Sequence, residues 1–148
     1  MSTSMFIKQL SVFIENQEGR LEEVLEALKS ENINIISLSL ADTSEYGLLR
    51  LITSDPEAGQ AALKEKGFAA MLTDVLAVRL SHQVGKLQEI LSIVCKAGLN
   101  VEYMYALSNK DDDASIICKI SNGDEAAGLL KSREVKLYSQ EDIINIYC

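Results

Sequence analysis

Two hydrophobic periods alternate along the chain and predict a mixed α and β protein. The segment from Phe6 to Ile14 alternates as a half-buried strand does, and its apolar face consists of Phe6, Leu10, Val12 and Ile14. Apolar residues at helical spacing follow and predict an amphipathic helix, at Leu21, Val24, Leu25 and Leu28. Two strands at residues 33–40 and 46–53, a helix that begins at Asp55-Pro56 and a short strand at residues 68–72 complete the first half.

The second half repeats the first at an offset of 66 residues, which places Gly85 after Gly19 and Asn100 after Asn34. It predicts strands at residues 75–80, 99–107, 114–121 and 135–138, and helices at residues 85–97 and 124–132. This order favours an α+β fold of two split βαβ units, each an antiparallel sheet with both helices on one face. We therefore predict two domains, residues 1–73 and residues 74–148.

Two further segments are interpreted from their spacing. The apolar positions of residues 142–147 echo those of residues 74–79, and we predict an extra C-terminal strand that pairs with one of the sheets. The acidic run Asp111-Asp-Asp113 lacks the spacing and the distal Glu of a calcium loop. It is interpreted as a solvated hairpin tip.

Composition and charge narrow the functional classes. The chain has 148 residues, a net charge of −8 and 3 widely spaced cysteines. The acidic balance argues against nucleic-acid binding, which relies on a basic footprint, and no apolar run reaches the length of a membrane span. The N-terminus resembles no secretory signal, and the odd cysteine count favours a reducing compartment. We expect a cytoplasmic protein whose partner is a small molecule or another protein, with neither nucleic acid nor membrane involved.

An enzymatic function is not expected, because no nucleophile, base or metal set stands out. The single His and the three Cys lack zinc-ligand spacing, and neither a phosphate loop nor a nucleophile elbow occurs. No cofactor and no metal are expected. Cys95, between Val94 and Lys96 in an amphipathic helix, is interpreted as a packing residue.

The stretch Asn16-Gln-Glu-Gly19-Arg-Leu21 leaves a strand, enters a helix, and resembles the ligand loop of the ACT-domain family. The pair Asn34-Ile35 resembles the Asn-Ile position of that family. Both features recur in the second half, so the resemblance covers essentially the whole chain. The Pro that usually precedes the Gly is Glu18 in the first copy and Val84 in the second. The resemblance implies two tandem ferredoxin-like βαββαβ (ACT) units.

By this resemblance, the ligand-binding residues of the first copy are Asn16, Gln17, Glu18, Gly19, Arg20, Leu21, Asn34 and Ile35. Those of the second copy are His82, Gln83, Val84, Gly85, Lys86, Leu87, Asn100 and Val101. Glycine lets backbone N–H groups approach a ligand, a helix N-terminus suits a carboxylate, and Asn can both donate and accept. The family also implies that the second strand lies at a sheet edge, so the loop of one copy would face the Asn-bearing strand of the other.

The resemblance implies a regulatory protein that senses a free amino acid or a similar small metabolite. Ligand binding would shift packing or oligomeric state, in a homodimer or in association with a regulated enzyme. The alternative is a ligand-free interaction and oligomerisation module. Three residue-level alternatives also stay open: the two loop glycines as plain turn residues, the two asparagines as residues of the turn after a helix, and His82 as an exposed bystander.

Overall fold

The computed structural model describes residues 5–42, 45–81, 83–107 and 114–148. Over this part the elements follow in the order β1 (Ile7–Glu15), α1 (Arg20–Ser30), β2 (Ile35–Asp42), β3 (Tyr46–Thr53), α2 (Pro56–Glu65), β4 (Ala69–Leu80), α3 (Lys86–Lys96), β5 (Val101–Leu107), β6 (Ala114–Ile120), α4 (Gly123–Ser132), β7 (Leu137–Tyr138) and α5 (Gln140–Tyr147). None of the helices described is both long and apolar enough to cross a bilayer. The predicted α+β class with two ferredoxin-like βαββαβ repeats is confirmed.

The chain divides into two compact units. The first unit comprises residues 8–73, and the second unit comprises residues 74–147 together with residues 5–7. Residues 43–44, 82 and 108–113 lie outside the described part, and so do the predicted hairpin tip at Asp111–Asp113 and the candidate His82.

In the first unit the strand order is β4-β1-β3-β2, with β3 antiparallel to both of its neighbours. Leu10 lies opposite Leu51, and Leu38 lies opposite Leu51 on the other side. Residues that lie opposite one another share a face of the sheet, and this face forms a core with α1 and α2 through Val24, Leu28 and Leu63. Both helices therefore cover one face, as predicted, and β2 forms the edge.

The second unit repeats this plan with the strand order β7-β4-β6-β5. Leu76 and Val78 of β4 lie opposite Cys118 and Ile116 of β6. They pack with Ile90, Val94, Ala126 and Leu130 of α3 and α4 in a second core. Here β5 forms the edge, in the position that β2 occupies in the first unit.

Strand β4 joins the two units as one continuous strand of 12 residues. The prediction of two separate strands at residues 68–72 and 75–80 is therefore wrong, because a single strand covers both ranges. Thr73 and Asp74 interrupt the apolar pattern, but strand backbone needs no apolar side chain to stay extended. Ala70 packs in the core of the first unit, whereas Leu76 packs in that of the second.

The predicted C-terminal strand at residues 142–147 is wrong, because α5 occupies this segment. The Ser139 backbone N–H donates to Asp142 Oδ2 at 2.9 Å, and the Asp142 N–H donates to Ser139 Oγ at 3.1 Å. Such a reciprocal box caps a helix N-terminus. Ile143 is fully buried, whereas Ile146 is 37 % exposed. The apolar residues that suggested a strand are equally compatible with a helix that buries one of them.

Phe6 was expected to share a face with Leu10, and this expectation is wrong. Strand β1 begins at Ile7, one residue later, and Phe6 packs against the core of the second unit. Its ring lies over Gly123 so closely that a Cβ built there would stand 2.8 Å from Phe6 Cε1. Alternation alone does not reveal that the chain leaves one core and enters another at this point.

The packing role expected for Cys95 is also wrong, because this cysteine is exposed. The buried positions of α3 are Ile90 and Val94, and the residue after Val94 is rotated away by about 100°. The buried cysteine is Cys118 on β6, and burial raises the pKa of its thiol to about 12.

Candidate ligand-binding site

The loops that follow β1 and β4 have the same backbone hydrogen bonds. In the first loop the Gln17 N–H donates to the Glu15 carbonyl at 2.7 Å, and the Arg20 N–H donates to the Gln17 carbonyl at 3.3 Å. The second loop repeats both bonds, at 2.8 and 3.2 Å, from Gln83 to Ser81 and from Lys86 to Gln83. The sequence repeat therefore encodes one loop conformation twice.

Gly19 and Gly85 hold this conformation with a positive φ of 85° each. That region of backbone space is open to glycine and strained for other L-residues. A Cβ built at either glycine would have no heavy atom within 4 Å. The turn interpretation therefore explains why glycine is needed, and the open space beside it leaves the backbone accessible to a ligand.

Among the residues that the structure describes, no side chain caps the N-terminus of α1 or α3, the two helices that follow these loops, whereas α2 and α4 are capped. Asp55 accepts from the Ala58 N–H at 3.1 Å at the start of α2, and Asn122 accepts from the Glu125 N–H at 3.3 Å at the start of α4. The N–H groups in the first turn of a helix lack intrahelical partners. Apart from the Arg20 and Lys86 N–H groups, which donate to loop carbonyls, those of α1 and α3 are suited to an anionic group.

A pocket of about 320 Å³ lies beside the first loop, between the end of β1, the start of α1 and the β2–β3 hairpin. Three of the predicted site residues line it, and the full lining is Ile14, Glu15, Asn16, Gln17, Leu21, Leu40 and Gly47. Gly19 stands beside this pocket and does not line it. The hairpin closes one side closely, since a Cβ at Gly47 would stand 3.4 Å from Leu40 Cδ1.

The second unit has a matching pocket of about 710 Å³ beside its own loop. Its lining is Leu80, Ser81, Gln83, Val84, Gly85, Lys86, Leu87, Gln88, Leu91 and Ala114. Leu80, Ser81, Gln83 and Leu87 stand 66 residues after Ile14, Glu15, Gln17 and Leu21. Both pockets therefore combine an apolar floor, an amide side chain and a helix N-terminus.

The two asparagines lie at the opposite end of each sheet from these loops. Asn34 precedes β2 at the Thr53 end of the sheet, whereas the first loop follows β1 at the Tyr46 end. A strand of 8 residues such as β2 separates these ends by roughly 25 Å at about 3.3 Å per residue. Within one unit, the structure does not bring the loop and the asparagine together.

Each asparagine is held by its backbone rather than by its side chain. The Asn34 N–H donates to Ser54 Oγ at 2.9 Å and its carbonyl accepts from the Ser54 N–H at 2.9 Å. Asn100 makes the same pair of bonds with Ser121, at 3.0 and 2.9 Å. Both asparagines are exposed, and within the described ranges neither carboxamide forms a hydrogen bond. Their side chains remain available at the sheet edge.

The charged side chains at the start of α1 and α3 are engaged within their own units. Arg20 Nη1 lies 2.8 Å from Glu23 Oε2, and its guanidinium stacks 4.7 Å from the centroid of the Phe68 ring. Lys86 Nζ lies 3.6 Å from Glu89 Oε2. We interpret Arg20 as a residue that secures the start of α1 against Phe68.

The remaining predicted residues divide between the loop tip and the core. Glu18 and Val84 are exposed at the tips of the two loops. Ile35 and Val101 pack against the cores of the first and second unit. They are absent from the linings of both pockets, so their role is packing.

Several pocket residues were missed in the sequence. Leu40, Gly47 and Ala114 come from the hairpins, and Leu91 comes from the second turn of α3. One signal was present, because a glycine inside a predicted strand, such as Gly47, marks a close approach. The pairing register that brings Leu40 to the loop was not readable from alternation.

The chemistry of the site favours binding over catalysis. Over the residues that the structure describes, no group of three or more His, Cys, Asp or Glu is placed to hold a metal ion. Each pocket instead offers N–H donors for an anion, an amide for a polar group and apolar surface for a hydrocarbon.

Comparison with known proteins finds a family model and several solved structures that match this chain. The model of the family described as ACT domain pair matches residues 5–147. Protein BT0572 from Bacteroides thetaiotaomicron is similar, with 38 % identity, a TM-score of 0.90 and alignment over 97 % of this chain and 99 % of that chain. No curated protein matches.

Two more distant structures share the fold. The regulatory subunits of aspartate kinase from Thermus thermophilus and Thermus flavus are 15 % and 18 % identical, each with a TM-score of 0.60. The alignments cover 88 % and 90 % of this chain and 98 % and 97 % of theirs. The family model confirms the resemblance of the chain to the ACT-domain family. This chain belongs to the ACT domain pair family.

Proposed function

We propose that this chain is a regulatory protein that binds a free amino acid, or a similar small metabolite, in its loop pockets. Its role is regulatory and not catalytic. The observation that carries the proposal is the duplicated pocket in which an uncapped helix N-terminus adjoins an apolar floor. Two distant structural relatives are described as regulatory subunits of aspartate kinase, which agrees with such a role.

The pocket chemistry matches the parts of an amino acid. The α-carboxylate is suited to the first-turn N–H groups of α1 or α3, where the helix dipole is positive. The side chain is suited to the apolar floor, at Leu21 in the first unit and Leu87 in the second, each 37 % exposed. A carboxamide that can both donate and accept suits the ammonium group. Asn34 lies too far from the loop of its own unit, so it would join a site only when supplied by another unit.

Ligand binding would regulate the partner by favouring one association state of this protein over another. A ligand shifts such an equilibrium only as far as its affinities for the two states differ. An amino acid that completes its site at a junction of units favours the associated state. We propose a homodimer or a complex with a regulated enzyme as the species that responds.

A thermal-shift screen of the common amino acids at millimolar concentration tests the proposal. A ligand that binds only the folded state raises the melting temperature by mass action. The double variant Gly19→Val, Gly85→Val should lose this ligand-dependent rise, because a φ of 85° strains the valine backbone and the added side chain fills the open space beside each loop.

The chain offers a matched control for the strain. Gly67 and Gly98 also have positive φ, at 88° and 77°, with nothing within 4 Å of a built Cβ, and they line neither loop pocket. The variant Gly67→Val, Gly98→Val should lower the melting temperature to a similar degree and keep the ligand response. Equal ligand responses in the two double variants would contradict a site at the loops.

The asparagines provide a second test. Their exposed carboxamides form no hydrogen bond within the described ranges. Surface changes of this kind alter stability by about 0.5 kcal/mol at most. Without ligand, the melting temperature of the Asn34→Ala and Asn100→Ala variants should therefore stay within about 2 °C of that of the wild type. Affinity for the amino acid, measured by calorimetry, should fall. An unchanged affinity in the double variant would remove the asparagines from the site.

The second candidate function is a ligand-free interaction module. It is favoured by edge strand β2, where Leu38 and Leu40 are 53 % and 50 % exposed. Apolar edge strands associate readily with other strands. If no amino acid raises the melting temperature, this alternative predicts that Leu38→Lys, Leu40→Lys lowers the oligomeric state in sedimentation velocity without loss of helix signal.

A further inference from the structure

Each unit has a surface groove between its first helix and the turn that follows its second helix. The α1 groove of the first unit measures about 730 Å³, and the α3 groove of the second unit measures about 690 Å³. The helix side of the α1 groove consists of Gly19, Glu22, Glu23, Glu26, Ala27 and Ser30, and the residues 66 positions later line the α3 groove. On the other side stand Lys66 and Arg133, which cap the C-termini of α2 and α4. The two grooves are therefore equivalent features of the repeat and nearly equal in size.

The two grooves carry opposite charge. Three glutamates and one lysine line the α1 groove, whereas one glutamate, one lysine and one arginine line the α3 groove. The difference arises in one row on each helix, with Glu22, Glu26 and Ser30 on α1 and Gln88, Ser92 and Lys96 on α3. The net charge of the whole chain is −8, so the α3 groove is a basic site on an acidic protein.

The charges that distinguish the two grooves are unpaired in the described part of the chain. The neighbouring glutamates Glu23 and Glu89 are engaged instead, each with the basic residue at the start of its own helix. Four exposed residues form neither an ion pair nor a side-chain hydrogen bond within the described ranges, namely Glu22, Glu26, Lys96 and Arg133. Both rows therefore present free charge to solvent.

The two rows complement each other when their helices run antiparallel. Residues four apart form the ridges by which helices pack. Antiparallel packing of one row on the other places Glu22 opposite Lys96. The middle pair is then Glu26 with Ser92, whose hydroxyl can donate to the carboxylate. A parallel arrangement would place Lys96 opposite Ser30 and lose the ion pair.

We propose that copies of this chain associate through these rows, with α1 of one copy packed antiparallel on the α3 groove of another copy. Arg133, across the α3 groove, supplies a second cation to the acidic row. The contact joins two different surfaces, and it closes into a dimer when two copies exchange it in both directions. The inference rests on the proposed function only in its homodimer, it does not depend on the ligand, and it uses a surface other than edge strand β2.

Sedimentation equilibrium of the full chain tests the inference in about 0.01 M and about 1 M sodium chloride, where the screening length is about 30 Å and about 3 Å. The wild-type chain should associate at low salt and at least about 10-fold more weakly at high salt. Lys96→Glu, Arg133→Glu should weaken the low-salt association at least about 10-fold, and Glu22→Lys, Glu26→Lys should do the same, because like charges then meet.

An equimolar mixture of the two reversed variants is the decisive sample. Each variant repels itself but offers the other a row of opposite charge. The mixture should therefore associate within about 3-fold of the wild type at low salt, although each variant alone does not.

The chain offers a matched control for the change in net charge. Lys64 and Lys131 lie in the last turns of α2 and α4, as Lys96 does in α3, and they line neither groove. Lys64→Glu, Lys131→Glu alters the net charge as much as Lys96→Glu, Arg133→Glu and should associate within about 3-fold of the wild type. Circular dichroism checks that every variant is folded.

The outcomes separate this inference from the proposed function. A wild-type chain that stays monomeric at high micromolar concentration would overturn the inference and leave the α3 groove to an acidic partner of another kind. Reversed variants that associate like the wild type, or a mixture no better than either variant alone, would also overturn it, and loss of association only in Leu38→Lys, Leu40→Lys would place the contact at β2. Amino-acid binding in the thermal-shift screen is unaffected by any of these results. Absence of thermal shift with every amino acid would overturn the proposed ligand and leave the charged contact standing.

Discussion

A methyl group added at two exposed glycines should change the stability of this protein in opposite directions. The two substitutions are Gly19→Ala, in the first ligand loop, and Gly128→Ala, in α4. A Cβ at either position would have no heavy atom within 4 Å, so neither methyl group gains or loses packing. The difference lies in the backbone, because Gly19 has φ of +85° and Gly128 lies within a helix.

The magnitudes follow from these conformations. A left-handed backbone costs an L-residue about 1–2 kcal/mol, and the entropy that alanine removes from the unfolded chain offsets part of this cost. Gly19→Ala should therefore lower the free energy of unfolding by about 1 kcal/mol. In a helix interior, alanine is more favourable than glycine by about 0.5–1 kcal/mol, so Gly128→Ala should raise it by that amount.

Urea denaturation followed by far-ultraviolet circular dichroism measures both changes, since helices and strands report together. The slope of unfolding free energy against urea should stay constant, and the midpoints should move to opposite sides of wild type. Gly85→Ala should reproduce the result of Gly19→Ala, because its φ is also +85°. A shift in the same direction for Gly19→Ala and Gly128→Ala would refute the argument that φ alone sets the sign.

Two further predictions concern α5 and the cysteines. Ile143→Ala should lower the free energy of unfolding by about 2–5 kcal/mol, because Ile143 is fully buried. Ile146 lies on the same helix and is 37 % exposed. Ile146→Ala should therefore lower the free energy of unfolding by less than half as much in the same urea assay. A thiol reagent at pH 8 should modify the exposed Cys95 and Cys148 rapidly and Cys118 only after unfolding, and fast reaction of all three would contradict the burial of Cys118. Since burial raises the pKa of Cys118 from 9.0 to about 12, its contribution to stability is present below pH 9.0 and falls as the pH rises toward 12, which unfolding curves across that range would reveal.

Local features of the chain were predictable because their causes are local. Pro56 stands at the first turn of α2 and Asp55 caps it, as the dipeptide indicated. Gly19 and Gly85 hold positive φ because each turn from strand to helix requires it. The loop residues of the candidate site were recognisable because the same short sequence pattern occurs in both halves of the chain.

Features that depend on register and on neighbouring elements were not predictable. One exception is local: residues 142–147 satisfy a strand pattern and a helix pattern equally, and the capping pair Ser139 and Asp142, which could have been read from the sequence, selects the helix. Phe6 continues an alternating run, yet it packs in the core of the second unit. The approach of Leu40 to Gly47, two residues that line the first pocket, depends on strand pairing that apolar spacing does not specify.

Duplication and the α+β class follow from sequence alone, because periodicity, glycine and capping residues act over a few neighbouring positions. The shape and size of the pockets were decided only when distant segments met, since side chains from a strand end, a helix start and a hairpin line each of them. The separation of roughly 25 Å between a loop and its asparagine within one unit is likewise a property of the folded sheet. Tertiary structure decides such distances because they depend on which strands pair and in which register.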